Sequence, residues 1–244
     1  MSIRSHNIGS HIYRVYSIPS TNTALLENAD HYEHGAVLVA ARQTAGRGRQ
    51  QRNWTSQEGG LYMSILLKNV DISRFLLPFC LLSALAVVRT VEKYIPSELS
   101  IKWPNDVYAE DSKICGILPQ STSRGSETLG VIGIGLNVNN PVKGLKKLRQ
   151  PALNIKEISG ATADINYILH ALITYLDQYY YGLRERGLAD YLPELNNVLY
   201  RKGRSAILRI GEHEQQITPL AFTEDAGLSC LRNHKKTRIY WGEI

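Results

Sequence analysis

A segment rich in glycine and arginine is the first part of this sequence that could do chemistry. It reads Ala45-Gly46-Arg47-Gly48-Arg49 and lies in a stretch with little hydrophobic patterning, residues 43–60. Glycines let backbone N–H groups approach an anion closely, and an arginine binds phosphate or carboxylate with two donors. The segment therefore predicts a loop that closes over an anionic ligand. A solvated basic loop and an RNA-binding Arg/Gly segment are the alternatives that these residues leave open.

A second cluster, Lys102-Trp103-Pro104-Asn105-Asp106, combines a cation, a proline and a carboxylate. In an extended chain Lys102 and Asp106 lie on the same face. Pro104 marks an edge or a bend in the strand, because it has no N–H to donate. For Lys102 by itself the spacing favours a structural ion pair.

Lys113 brings a second cation to the same region. A hairpin turn centred on Glu110-Asp111 would place Tyr108 opposite Lys113 and Asp106 diagonally from it. A lysine in the apolar segment of residues 113–117 is costly unless it meets an anion or reaches solvent at the end of the strand. Cys115 would lie on the same face as Lys113. Since no histidine is near it in sequence, we interpret Cys115 as a buried structural residue.

The elements that must position these residues are strands and helices, followed by short strands alone. Hydrophobic patterning predicts strands over residues 11–16, 35–42, 61–67, 99–103, 106–109, 113–118 and 129–138. It predicts helices over residues 21–28, 75–94, 163–183 and 188–199. Short strands are predicted over residues 205–210, 216–222, 228–231 and 237–241. The predicted fold class is α+β, with a mixed sheet and packed helices in residues 1–200 and a small β-barrel-like domain in residues 201–244.

Composition limits the classes of function. The chain has 244 residues, of which 43% are hydrophobic and 20% charged, so disordered and collagen-like classes are excluded. The longest apolar run, residues 75–88, is too short to span a bilayer, and we expect no secretory signal. The three cysteines and seven histidines show neither disulfide nor metal-ligand spacing, which predicts a cytoplasmic protein without its own metal site. The net charge of +6 favours an anionic partner without identifying it.

A set of motifs in this chain resembles the biotin protein ligase family. The motifs are Ser20-Thr-Asn22, Gln43-Thr-Ala-Gly-Arg-Gly-Arg49, Trp54, Lys102-Trp-Pro-Asn-Asp106, Lys113-Ile-Cys-Gly-Ile117 and Gly133-Ile-Gly-Leu-Asn137. Each is weak alone, but their order and spacing match that family from about residue 13 onward. The resemblance implies a biotin/lipoate ligase fold, similar to class II aminoacyl-tRNA synthetases, followed by a small SH3-like β-barrel.

The resemblance also implies a reaction in two steps. Biotin and ATP, with Mg²⁺, form biotinyl-5′-AMP, and a lysine of a biotin carboxyl carrier domain then takes the biotin. The implied catalytic residues are Lys113, Arg49 and Asp106. The implied biotin-binding residues are Ser20, Thr21, Asn22, Gln43, Arg47, Gly48, Arg49, Lys113, Gly116, Gly133 and Gly135. The implied ATP- and adenylate-binding residues are Arg47, Arg49, Trp54, Asn105, Lys113 and Asn137.

The sequence departs from this family pattern in three places. After Arg49 the family usually continues with arginine or glycine, then glycine and arginine, where this chain has Gln50-Gln51-Arg52, and Pro119-Gln120 stands where the family usually has an acidic residue. The C-terminal module is family-like in Trp241-Gly-Glu-Ile244 but lacks some of the usual glycines.

The resemblance also implies that residues 45–52, called the arginine-rich loop below, and residues 140–151 are poorly ordered when empty and close over the adenylate. The lysines and arginine of residues 143–149 are interpreted as a solvated face.

The expected partners follow from the same resemblance. Because the first strand begins near residue 11, no helix-turn-helix precedes it, and we expect a ligase that binds neither DNA nor a membrane. Whether it forms a homodimer is left open. Two alternatives remain: a lipoate or octanoate ligase of the same fold, and a non-catalytic module whose binding to nucleic acid weakens steeply with salt.

Overall fold

The structure is a computed structural model and describes residues 7–68, 70–124, 127–142 and 151–244. Its larger sheet has the strand order β1-β2-β3-β7-β6-β5-β4. The strands are β1 (Ile12–Ile18), β2 (Val37–Gln43), β3 (Leu61–Leu67), β4 (Leu99–Lys102), β5 (Asp106–Ala109), β6 (Ser112–Arg124) and β7 (Glu127–Leu136). β1 is parallel to β2, and the other neighbouring strands are antiparallel. The mixed sheet predicted from the sequence is confirmed.

Helix α2 (Ile72–Val91) forms the centre of the main hydrophobic core. The Asp71 carboxylate caps its first turn by accepting a hydrogen bond from the backbone N–H of Arg74. The helix packs against strands of the larger sheet and against α4 (Ile165–Arg186). Its length and composition would suit a membrane span, but 72% of its most apolar stretch is buried inside the protein. It is therefore the buried helix that the apolar pattern predicts.

Helix α1 (Thr21–Glu27) covers the opposite face of the sheet. Leu38 and Leu66 pack with Leu25 of this helix, whereas their strand neighbours Val37 and Ile65 belong to the core around α2. This division follows from the alternation of side chains along a strand. The Ser20 hydroxyl caps α1 by accepting from the Thr23 N–H at 3.4 Å, as its position predicts.

The β5–β6 hairpin shifts register near its turn. Tyr108 pairs with Lys113, as predicted, but the shift between Val107 and Tyr108 places Val107 opposite Cys115. This bulge separates Cys115 from Lys113, because an extra residue reverses which face the next side chain takes. Cys115 is fully buried in the core around α2, and burial raises the pKa of its thiol. The expectation that it shares a face with Lys113 is wrong, whereas its interpretation as a buried residue is confirmed.

Two predicted elements differ in extent from the structure, and one helix was not predicted. The helix predicted over residues 188–199 is a 3₁₀ turn followed by the short α5 (Leu192–Asn197), which has a proline in its first turn. Helix α3 (Ile155–Ser159) has no predicted counterpart. Strand β6 continues to Arg124, beyond the predicted end at residue 118, because its polar half pairs with β7. Backbone pairing extends this strand where hydrophobic alternation has stopped.

A second sheet contains the last four strands of the chain. They are β8 (Ala206–Ile210), β9 (His213–Phe222), β10 (Leu228–Arg232) and β11 (Lys235–Ile239), in the order β11-β10-β9-β8. Glu243 forms a bridge with Arg209, which returns the end of the chain to β8. This antiparallel sheet fits the SH3-like module, although β8 and β11 stay edge strands and do not pair into a closed barrel in the described part of the chain.

The two sheets share one hydrophobic core. Trp103, which follows β4 of the larger sheet, donates its indole N–H to the Ala226 carbonyl, which precedes β10, at 3.1 Å. Buried side chains of both sheets belong to the hydrophobic core around α2. The division of the chain at residue 200 therefore stays a prediction.

Candidate functional site

A cavity of about 570 Å³ lies on the α1 side of the larger sheet. Every residue predicted above to be catalytic or ligand-binding lines it, although those residues come from segments far apart in sequence. They are Ser20, Thr21, Asn22, Gln43, Arg47, Gly48, Arg49, Trp54, Asn105, Asp106, Lys113, Gly116, Gly133, Gly135 and Asn137. The fold brings these residues together, while the role of each stays a prediction.

One end of the cavity carries uncharged polar side chains. Gln43 Oε1 accepts from the backbone N–H of Thr21 at 2.9 Å and from its hydroxyl at 3.1 Å, and Gln43 Nε2 donates to Ser56 Oγ at 2.9 Å. Ser64 Oγ lies 2.6 Å from both Thr21 Oγ1 and Asn22 Oδ1. Because unpaired buried polar groups are costly, this network fixes donors and acceptors at the polar end of the cavity.

Asn22 is also held from the β6 side. Its Nδ2 donates to the Leu118 carbonyl at 3.1 Å and to Gln120 Oε1 at 2.7 Å. The motifs did not predict that Ser56, Ser64 and Gln120 belong to this network. Ser64 had a signal, because it is the one small polar residue of the apolar strand β3, and it is fully buried.

Glycines of β6 and β7 make room for protein side chains at the floor of the cavity. A Cβ at Gly133 would overlap Asn22 Oδ1, and a Cβ at Gly135 would lie 2.6 Å from the Trp54 indole. A Cβ at Gly116, which pairs with Gly135, would lie 3.0 Å from the same ring. These glycines therefore make room for the Asn22 and Trp54 side chains, and the biotin-binding role that the resemblance implies for Gly133 and Gly135 stays a prediction.

The other end of the cavity is charged. Lys113 Nζ lies 2.6 Å from Asp106 Oδ2, and the two side chains are 21% and 15% exposed. The Lys113 ammonium also lies 5.3 Å from the centroid of the Trp54 ring. Asp106 Oδ1 and Trp54 Nε1 are buried and have no hydrogen-bond partner among the described residues. Two unpaired polar atoms beside an ion pair indicate a place where a polar ligand binds.

The arginine-rich loop reaches this charged end and touches the C-terminal residues. Arg49 donates to Asn105 Oδ1 at 3.3 Å and to the Gly242 carbonyl at 3.2 Å. Arg52 contacts both carboxylate oxygens of Glu243, at 3.1 and 3.0 Å. The loop is therefore connected to the second sheet in this structure.

The first departure from the family pattern has a conformational consequence. Gln50 and Gln51 both have positive φ values, 53° and 58°. Glycine adopts this left-handed region freely, whereas another residue costs about 1–2 kcal/mol there. The glutamines therefore keep a backbone conformation that glycine would form more easily.

Lys102 does not make the ion pair that its spacing favours. Asp106 pairs with Lys113, while Lys102 Nζ donates to the Tyr108 hydroxyl at 3.2 Å and lies 5.7 Å from the Tyr200 ring. Desolvation lowers the pKa of Lys102 to about 8, and the nearby Asp106 carboxylate opposes that shift. Lys102 is thus a partly buried cation behind the charged end of the cavity.

Arg209 and Glu243 of the C-terminal sheet complete the cavity wall. Neither was predicted as a site residue: Glu243 lies in the family-like segment Trp241-Gly-Glu-Ile244, whereas no motif contains Arg209. Asp106 and Glu243 are the carboxylates among the described lining residues. The described part of the chain contains no group of three or more His, Cys, Asp or Glu side chains that could hold a metal ion.

The two asparagines named for ATP hold the wall of the cavity. Asn105 donates to the Ile117 carbonyl at 2.5 Å and accepts from Arg49. Asn137 donates to the Leu153 carbonyl at 3.2 Å and accepts from Asn140 at 3.1 Å. Both amides are therefore already engaged. Most of the second expected loop, residues 143–150 with its basic side chains, lies outside the described residues.

Comparison with known proteins gives consistent results. The model of the biotin/lipoate A/B protein ligase family matches residues 14–137. The bifunctional ligase/repressor BirA of Bacillus spizizenii is 35% identical over 183 residues, which are 72% of this chain and 56% of that protein. The biotin--[acetyl-CoA-carboxylase] ligase of Mycobacterium tuberculosis is 33% identical over 65% of this chain and 59% of its own length. This chain therefore spans little more than half the length of these curated relatives.

A solved structure matches nearly the whole chain. The biotin protein ligase from Aquifex aeolicus in complex with biotin and ATP has a TM-score of 0.82 and 28% sequence identity, and the match covers 96% of this chain and 97% of that one. The expected α+β fold is confirmed by this match.

Proposed function

Because the chain belongs to the biotin/lipoate A/B protein ligase family, we propose that it is a biotin protein ligase that joins biotin to a lysine of a carrier protein with ATP. Its relatives named as biotin ligases and the Aquifex structure with biotin and ATP support this proposal. The chain's own residues supply an independent argument.

The observation that carries the proposal is the division of the cavity into a neutral polar end and a charged end. Thr21, Asn22 and Gln43 offer hydrogen bonds without charge at one end, and Arg49 and Lys113 offer cations at the other. Biotin has the complementary form, with a neutral cyclic urea and a carboxylate tail. The dithiolane ring of lipoate and the alkyl chain of octanoate would leave the polar end unpaired, which disfavours them.

In the first step the biotin carboxylate attacks the α-phosphorus of ATP, and pyrophosphate leaves. Both reactants are anions, so cations must neutralise them as they approach. Lys113 is held against Asp106 at 2.6 Å, and Arg49 is held by Asn105, so both cations are positioned before the ligand binds. Arg47 lies in the same wall and adds a third cation. Trp54 offers a flat apolar surface for the adenine ring.

Mg²⁺ is expected to enter with the phosphates of ATP. This ion prefers oxygen ligands and is commonly bound by one or two carboxylates together with substrate phosphates. Asp106 Oδ1, which is buried and has no partner within the described ranges, fits such a role, and Glu243 is the other carboxylate among the lining residues described. Bound there, the ion would offset phosphate charge.

In the second step a carrier lysine attacks the acyl carbon of the adenylate, and AMP leaves. That lysine must lose a proton, and Asp106 lies at the charged end with Oδ2 on Lys113 and Oδ1 without a partner in the part of the chain that the structure describes. We assign Asp106 to orient the incoming amine and accept its proton. Closure of the arginine-rich loop would protect the anhydride from water.

The test is ATP–pyrophosphate exchange with biotin, with lipoate, with octanoate and without acid. We expect exchange with biotin alone, and loss of exchange in Lys113→Ala but not in the matched variant Lys235→Ala of the exposed strand β11. Exchange with lipoate or octanoate would move the assignment to the acyl ligases of the same fold. No exchange with any acid would contradict the proposal and favour a binding module.

The remaining expectations about partners stay proposals. We propose a cytoplasmic enzyme that binds biotin, ATP and a biotin carboxyl carrier domain, and that binds neither DNA nor a membrane. Size-exclusion chromatography with light scattering, with and without biotin and ATP, distinguishes a monomer from a homodimer. Incubation with a purified carrier domain followed by mass spectrometry tests the partner.

A further inference from the structure

A glutamine at the polar end of the cavity orients the amide of Asn22. Gln120 lies in β6, opposite Val131 of β7, and is half-buried. Its Oε1 accepts from Asn22 Nδ2 at 2.7 Å, and the Leu118 carbonyl accepts from the same nitrogen at 3.1 Å. A side-chain amide nitrogen has two N–H groups, so both donors of Asn22 are engaged.

This orientation leaves an acceptor for a ligand. With Nδ2 held by β6, Asn22 Oδ1 faces Ser64, whose hydroxyl lies 2.6 Å from both Oδ1 and Thr21 Oγ1. Ser64 has a single hydroxyl proton and can donate to one of these two oxygens at a time. The Asn22 Oδ1 oxygen has two lone pairs and Ser64 occupies at most one of them, so Oδ1 keeps a lone pair for a donor in the cavity. With the amide reversed, the nitrogen would face Ser64 and this acceptor would be lost.

We infer that Gln120 is a positioning residue that makes the polar end select acids carrying N–H donors. The Leu118 carbonyl is a fixed acceptor and favours the same orientation of Asn22, and Gln120 adds the second acceptor without adding charge. The inference rests on the proposed function, since the cyclic urea of biotin has N–H groups and the ring of lipoate has none. It assigns a role to Gln120, one of the two residues of Pro119-Gln120 at which the sequence departs from the family pattern.

The test removes the acceptor and then restores it. In the full chain, Gln120→Leu should raise the KM for biotin in pyrophosphate exchange about tenfold, with kcat within about twofold of wild type, because one hydrogen bond to the orienting group is lost. Gln120→Glu keeps an acceptor oxygen and should return this KM to within about threefold of wild type. Gln178→Leu, at an exposed position of α4, makes the same chemical change and should alter neither constant.

A biotin analogue without ring N–H groups separates a loss of ligand recognition from a general loss of structure in the variant. Biotin methylated on its ring nitrogens lacks the donors, so wild type and Gln120→Leu should bind it equally weakly in calorimetry. If thermal unfolding shows that Gln120→Leu is not folded, Gln120→Met takes its place, because methionine has a side chain of similar length to glutamine without the amide acceptor. An unchanged KM for biotin in the acceptor-free variant, or an equal loss of affinity for biotin and its methylated form, would overturn the inference. Failure of the wild type to use biotin would instead refute the proposed function.

Discussion

An alanine at Gly133 and an alanine at Gly135 are expected to weaken the binding of different substrates, because the two positions lie at different ends of the cavity. They lie two residues apart on β7 and face the same side. A Cβ at Gly133 would overlap Asn22 Oδ1, and a Cβ at Gly135 would lie 2.6 Å from Cε2 and Nε1 of Trp54. Alanine is the smallest change that displaces each side chain. We expect Gly133→Ala to weaken biotin binding and Gly135→Ala to weaken ATP binding.

The effect at Gly133 follows from how tightly Asn22 is held. Ser64, Leu118 and Gln120 bond its amide from two sides, so it cannot move away from a new methyl group without losing contacts. Two lost hydrogen bonds at about 1 kcal/mol each correspond to about a 30-fold rise in the KM for biotin. Overpacking in this buried place should also lower the free energy of unfolding by about 1–3 kcal/mol.

The effect at Gly135 differs because Trp54 can move. Its indole is half-buried, its Nε1 has no partner among the described residues, and it follows the arginine-rich loop. An ordinary van der Waals contact begins at 3.4 Å, whereas the new methyl group would lie 2.6 Å from the ring, so the ring must shift by about 0.8 Å toward the cavity. Loss of one aromatic stack, about 0.5–1.5 kcal/mol, raises the KM for ATP by about 2- to 10-fold. The free energy of unfolding should change little.

Initial rates of pyrophosphate exchange distinguish the two variants. Biotin is varied at saturating ATP, then ATP at saturating biotin, and thermal unfolding is recorded for both variants. The reasoning would be refuted if both alanines raised the same KM, or if Gly133→Ala left the KM for biotin unchanged. Either result would mean that Asn22 and Trp54 do not divide the cavity between the two substrates.

Three further predictions concern charged groups. Lys113→Ala leaves Asp106 beside two anionic reactants, so pyrophosphate exchange should fall by about 10²–10³-fold, and near-normal exchange would contradict its role. Asp106→Asn should slow transfer from preformed adenylate to the carrier lysine by about 100-fold and exchange much less, which single-turnover measurement checks. The pKa of Lys102 is about 8 in the folded protein and near 10.5 in the unfolded chain. Between pH 8 and pH 10.5 the unfolded chain therefore binds more protons than the folded protein, and the free energy of unfolding rises with pH. The free energy of unfolding is measured with urea at pH 7.5 and at pH 10 for wild type and for Lys102→Met. The rise between the two pH values should be smaller in Lys102→Met by about 1–2 kcal/mol, after allowance for solvent screening. The same rise in both proteins would show that burial does not lower the pKa of Lys102.

Much of the fold was predictable because local patterns encode it. The apolar run that became α2, the Ser20 cap of α1 and the strand that became β3 all have short-range signals, since hydrophobic periodicity and capping depend on neighbouring residues. The pairing of Tyr108 with Lys113 was also predictable, because the turn sets the register of a hairpin. The register shift beyond it was not, and it places Cys115 in the core.

Residue types and short spacings were enough to predict which side chains do chemistry, because both are local properties of the chain. They placed Asp106 near Lys113 across the β5–β6 hairpin, but they did not show that the arginine-rich loop reaches this pair. Long-range folding was needed to bring the loop and this pair into one cavity, to place Ser64 and Gln120 against Asn22, and to complete the wall with Arg209 and Glu243. The physical reason is that these contacts join residues far apart in the chain, and such contacts form only when strand pairing and a common core have fixed the distances between them.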